Sequence, residues 1–98
     1  MEMIYQILKY LLEKVNFKKL KELNLYQNKI SDIKVLEKVK FEKLEELYLG
    51  ENNISNIDIL EKVNFKELKE LYLGGNKINE DENHSILNTL KSKINIII

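Results

Sequence analysis

The chain repeats itself at an offset of 24 residues, and no other feature constrains its folding as strongly. Residues 17–40 read FKKLKELNLYQNKISDIKVLEKVK, residues 41–64 read FEKLEELYLGENNISNIDILEKVN, and residues 65–78 begin a third copy, FKELKELYLGGNKI. A period of this length marks stacked supersecondary units. Phe17, Phe41 and Phe65 share one column, Leu20, Leu44 and Leu68 another, followed by Leu23, Leu47, Leu71 and Leu25, Leu49, Leu73. Asn28, Asn52, Asn76 and Ile30, Ile54, Ile78 come next, and the second half of the unit supplies Ile33 and Ile57, Leu36 and Leu60, Val39 and Val63.

Each copy changes its apolar period part-way. Leu23 and Leu25 are two apart, as in a strand with one buried face. Ile33, Leu36 and Val39 are three apart, which suits a short helical turn. A unit is therefore strand, turn, helical segment and return. A unit this small does not cover its own apolar face, so stability must come from stacking on neighbours. Stacked copies give a parallel sheet, and the handedness of strand-crossover-strand connections makes the coil right-handed.

The strings LKELNLYQNKI, LEELYLGENNI and LKELYLGGNKI resemble the leucine-rich repeat pattern LxxLxLxxNxI. Continued through Ile33, Leu36 and Val39, the unit resembles the short cytosolic-type subclass typified by phosphatase regulatory subunits and also used by bacterial internalins. That subclass usually repeats every 22 residues, whereas this chain repeats every 24. The resemblance implies an α/β fold: a right-handed solenoid with a parallel sheet of three to four strands on its concave side and short helices on its convex side. It also implies a regulatory or scaffolding role exercised by binding another protein. The repeating Asn has a structural reading, because its amide satisfies backbone groups of adjacent coils at the turn after each strand.

The expected organisation is one domain over residues 1–98: an N-terminal capping helix at 1–16, repeats at 17–78, and a degenerate C-terminal repeat and cap at 79–98. Ile4, Ile7, Leu8, Leu11, Leu12 and Val15 fall at helical spacing in the cap. After the polar stretch NEDENHS, Ser85 or a neighbour is expected to cap a helix carrying Ile86, Leu87 and Leu90. The tail KINIII is expected to add a fourth strand with Ile94, Ile96 and Ile98 inward and Ile97 outward, although its alignment to Leu71 and Leu73 is one residue out of step.

Composition bears on function chiefly by exclusion. All 16 basic residues are lysine and 16 acidic residues balance them, so no basic excess points to nucleic acid. The absence of Cys excludes disulfides and thiolate metal sites. Neither a secretory signal nor an apolar run long enough to span a bilayer is found, which predicts a soluble cytoplasmic protein without a membrane partner. Glu80, Asp81, Glu82 and His84 cluster, but a contiguous acidic run with one histidine reads as a solvated loop. Asp81, His84 and Ser85 have the residue types of a hydrolase triad, yet nothing supplies the oxyanion hole. The chain is expected to be no enzyme and to need no cofactor.

The outward strand positions carry the candidate site. Alternation places Glu22, Asn24 and Tyr26, then Glu46, Tyr48 and Gly50, then Glu70, Tyr72 and Gly74 on the concave surface. The proposed protein-binding residues are Glu22, Asn24, Tyr26, Glu46, Tyr48, Glu70 and Tyr72. Columns Lys18, Glu42, Lys66 and Lys21, Glu45, Lys69 alternate in sign, but Glu22, Glu46 and Glu70 do not. Carboxylates about 5 Å apart repel by roughly 0.8 kcal/mol in water, a tolerable cost. Exposed tyrosines are favoured interface anchors, and Gly50 and Gly74 are expected to let a partner approach the sheet. The other reading of the chain is structural: self-assembly into a homo-oligomer through uncovered strand edges.

Overall fold

The computed structural model describes residues 9, 10, 13, 14 and 18–98. Lys9, Tyr10, Glu13 and Lys14 have helical backbone, while the apolar residues proposed to form the face of the N-terminal cap, and Phe17, lie outside the described residues.

Four three-residue strands form one parallel sheet in chain order: β1 at Glu22–Asn24, β2 at Glu46–Tyr48, β3 at Glu70–Tyr72 and β4 at Asn95–Ile97. The repeat offset is also the register between the first three, with Glu22 opposite Glu46 and Glu46 opposite Glu70. Each crossover carries a helical segment: 3-10 helix η1 at Lys34–Lys38, 3-10 helix η2 at Asp58–Glu61 and α-helix α1 at His84–Lys91. A 3-10 helix turns once in three residues, so it holds the three-residue apolar spacing read from the sequence on one side. Ile33, Leu36, Ile57 and Leu60 are accordingly buried, and the Ile33 and Ile57 carbonyls accept from the Leu36 and Leu60 N–H groups. Val35 and Ile59, outside that spacing, are buried as well, where η1 and η2 pack side by side.

Stacking determines how deeply each copy is buried. Leu47, Leu49, Leu71 and Leu73 are at most 1% exposed, whereas Leu23 and Leu25 of the first coil remain half-buried. Burying a leucine is worth about 1.5–3 kcal/mol, so the inner coils contribute most of the hydrophobic stabilisation. Phe41 and Phe65 stack at 5.8 Å between ring centroids and continue the core along the repeat axis.

The asparagine column joins adjacent coils. Asn52 Oδ1 accepts from the Asn28 and Ile30 N–H groups of the preceding coil at 2.8 and 3.0 Å. Its Nδ2 faces the carbonyls of Leu25, Leu49 and Gly50 at 2.9–3.1 Å. Asn76 repeats the pattern, accepting from Ile54 and donating to Leu49 and Leu73. Asn28 is exposed, and its amide donates only to Tyr26 O among the described residues. The turn that positions each Asn passes through the left-handed region at Gln27, Glu51 and Gly75. Only glycine enters that region without a side-chain penalty.

The C-terminal segment supplies the fourth strand in a register of its own. Leu71 pairs with Ile96, an offset of 25, because the longer α1 replaces the 3-10 turn of the other crossovers. Ile94 and Ile96 pack on the core, and Ile97 points outward as expected. Ile98 corrects the expectation of a third inward residue, since it is 42% exposed. Asn83, not Ser85, precedes the first turn of α1, and Ser85 lies inside the helix, where its carbonyl accepts from Thr89 Oγ1.

Candidate functional site on the concave sheet

Parallel pairing turns the outward strand positions into two rows. The lower row is Glu22, Glu46, Glu70 and Asn95, and the upper row is Asn24, Tyr48, Tyr72 and Ile97. The rows are two residues apart along each strand, roughly 6.6–6.8 Å. Tyr48 and Tyr72 stack nearly parallel, with centroids 4.4 Å apart and 11° between planes. Such a pair is worth about 0.5–1.5 kcal/mol beyond its buried area.

A contact within each strand holds the rings in place. Tyr48 Oη donates to Glu46 Oε2 at 2.8 Å, and Tyr72 Oη donates to Glu70 Oε2. Each carboxylate thereby anchors a phenol, and both phenols are raised above the usual tyrosine value. For Tyr48 the cause is first the hydrogen bond to Glu46, then partial desolvation and the negative charges around it. For Tyr72 it is first the hydrogen bond to Glu70. The carboxyl of Glu22 is also raised, first through a hydrogen bond with Glu46, then by desolvation and by the charge of Glu46.

Tyr26 lies apart from the tyrosine stack. It follows β1 at half exposure, and its ring covers Gly50: a Cβ added there would sit 3.5 Å from Tyr26 Cδ2 and 3.2 Å from Gly74 O. This corrects the expectation for Gly50, which is buried beneath Tyr26 and offers a partner no approach to the sheet. Gly74 remains open, the nearest atom to an added Cβ being Ile98 C at 3.8 Å. Asn24, Tyr26, Tyr48, Tyr72 and Ile97 border a shallow hollow of about 460 Å³.

The structure therefore brings Glu22, Asn24, Tyr26, Glu46, Tyr48, Glu70 and Tyr72 onto one face and adds Asn95 and Ile97 to it. Asn95 and Ile97 fall outside the repeat pattern because the last register departs from it, although the outward direction of Ile97 is legible in the sequence. The expected charge alternation is present next to the face, where Lys69 Nζ is 3.4 Å from Glu45 Oε1. A second hollow lies on the convex side between η1 and η2. Its lining mixes Asp32, Glu37 and Asp58 with Lys34 and Lys62, so charges of both signs stand together and favour no class of ligand.

Among the described residues no group of three or more His, Cys, Asp or Glu side chains comes together as a metal site, and no helix is long and apolar enough to cross a membrane. His84 faces Asn88 Nδ2 at 3.0 Å. The family model for leucine-rich repeats in two copies matches residues 42–91, just over half of the chain's 98 residues. No curated protein and no solved structure matches it. With the matched pattern, the parallel sheet and the asparagine column in agreement, the chain belongs to the leucine-rich repeat family, whose repeats are in general protein-interaction modules.

Proposed function

We propose that this chain is a non-enzymatic protein-interaction module, regulatory or scaffolding, that acts in the cytoplasm and binds its partner on the concave sheet. The observation that carries this reading is the stacked Tyr48–Tyr72 pair, locked to Glu46 and Glu70 and still partly open to solvent. Rigid aromatic side chains lose little conformational freedom on binding and bury a large area, which is why they dominate interface energetics. Capture of the partner from the source cell, followed by binding measurements with variants, tests the proposal. Tyr48→Ala and Tyr72→Ala should each weaken binding by more than about 1 kcal/mol, whereas the convex variants Lys38→Ala and Lys62→Ala leave it unchanged. Loss of binding in the convex variants alone would overturn the concave assignment.

A second reading, self-assembly through a strand edge, draws on Ile97 and Ile98, both 42% exposed at β4. Solution mass against concentration separates the two, because self-assembly requires a mass that rises with concentration and the binding-module reading does not.

A further inference from the structure

The concave face has one sign of charge and a graded polarity, and together these features specify a partner's chemistry. The residues of β1 to β4 are Glu-Leu-Asn, Glu-Leu-Tyr, Glu-Leu-Tyr and Asn-Ile-Ile, so the strands carry three carboxylates and no lysine. In a chain of zero net charge this is a segregated patch, and Lys69 beside it is engaged with Glu45. The phenol hydrogen bonds occupy Oε2 of Glu46 and Glu70 and leave their charge in place. Glu46 is in addition hydrogen-bonded to the Glu22 carboxyl. Along the upper row the face turns progressively apolar, from Asn24 through the tyrosine stack to Ile97.

We propose that this face takes an extended segment of a partner protein in which a lysine or arginine and an aliphatic residue project from the same side two positions apart. The cation sits between Glu46 and Glu70, and the aliphatic side chain lies on Tyr72 and Ile97. The spacing follows from the sheet: the two positions are roughly 6.6–6.8 Å apart along the strand and one strand, about 4.8 Å, apart across it, so residues i and i+2 of an extended peptide crossing the strands obliquely reach both, the long stem of the lysine or arginine covering the remainder. A cation between two carboxylates in register gains two attractions that offset their mutual repulsion. The inference rests on the concave reading above and adds the chemical class of the partner.

The test uses short random peptides displayed on phage and selected on the full chain, followed by affinity measurements at two salt concentrations. Selected peptides should be enriched in Lys or Arg two positions from Leu, Ile or Val. Their affinity should fall roughly tenfold or more in the Glu46→Gln/Glu70→Gln double variant, and the salt dependence should shrink with it. Glutamine keeps an acceptor for each phenol, so this variant retains the tyrosine geometry. Ile97→Ser should lower affinity without changing the salt dependence. Peptides that need Tyr72 but lack a basic residue, or that bind the double glutamine variant equally well, would overturn this inference and leave the concave reading standing. Peptides indifferent to Tyr72→Ala would overturn both, and a selection that enriches no sequence would count against the inference.

Discussion

Replacing Asn52 with alanine removes one amide but several hydrogen bonds, and the structure indicates which of the freed groups find another partner. The Ile30 N–H belongs to a residue 3% exposed and would be left unpaired in the interior. The Asn28 N–H belongs to an exposed residue and would be taken by water. On the other side of the amide, Leu49 O keeps its bond from Asn76 Nδ2 and Gly50 O keeps the Gln27 N–H. An orphaned buried donor costs about 1–3 kcal/mol and each ordinary bond lost a further 1 kcal/mol or so, giving about 3 kcal/mol for Asn52→Ala. The same substitution in the same repeat column should cost about 2 kcal/mol at Asn76, where the Ile54 N–H is orphaned, and within 0.5 kcal/mol at exposed Asn28. Urea unfolding followed by circular dichroism measures all three. Equal losses at Asn28 and Asn52 would show instead that the amide acts within its own coil and not between coils.

Two further outcomes follow from the concave face. Because the Glu22 carboxyl is raised in the fold above its ordinary value of 4.5, the unfolded chain releases that proton first as pH rises, so stability is lost as pH climbs through the native value. The raised Tyr48 and Tyr72 phenols have the same sign, with stability lost above their ordinary value of 10.0. Glu22→Gln should remove the acid-side loss and Tyr48→Phe should flatten the alkaline one, as read from unfolding curves across pH. Gly50→Ala should cost about 1–3 kcal/mol by pressing a Cβ against Gly74 O, a backbone atom 3.2 Å away, whereas Gly74→Ala should be tolerated; thermal melts of the two variants would show a clear difference.

Much of this architecture is legible in the residues because repetition carries register with it. Once Leu23, Leu47 and Leu71 share a column, the pairing of Glu22 with Glu46 and of Glu46 with Glu70 follows, and with it the position of every outward side chain on those strands. That logic stops where the repeat stops. The tail pairs at an offset of 25, which depends on how much chain α1 takes up between β3 and β4, so the place of Ile97 beside Tyr72 was not readable from the repeat. Side-chain choices within a face were also hidden. Tyr26 covers Gly50 while Tyr48 and Tyr72 reach back to the glutamate two residues earlier, a distinction made by packing between coils. The asparagines show the same limit: three identical letters in one column stand exposed at Asn28, buried at Asn52 and half-buried at Asn76, and among the described residues only the last two bond across to the preceding coil.

In the proposed mode of binding the strand face, and not the helical face, meets the partner. Amide chemical-shift changes mapped on the isotope-labelled chain as the captured partner is added test it most directly. The perturbed residues should cluster at 22–26, 46–50 and 70–74, with Ile97 among them and with η1 and η2 unaffected. Changes concentrated at Lys34–Lys38 and Asp58–Glu61, with Tyr48 and Tyr72 unmoved, would contradict it.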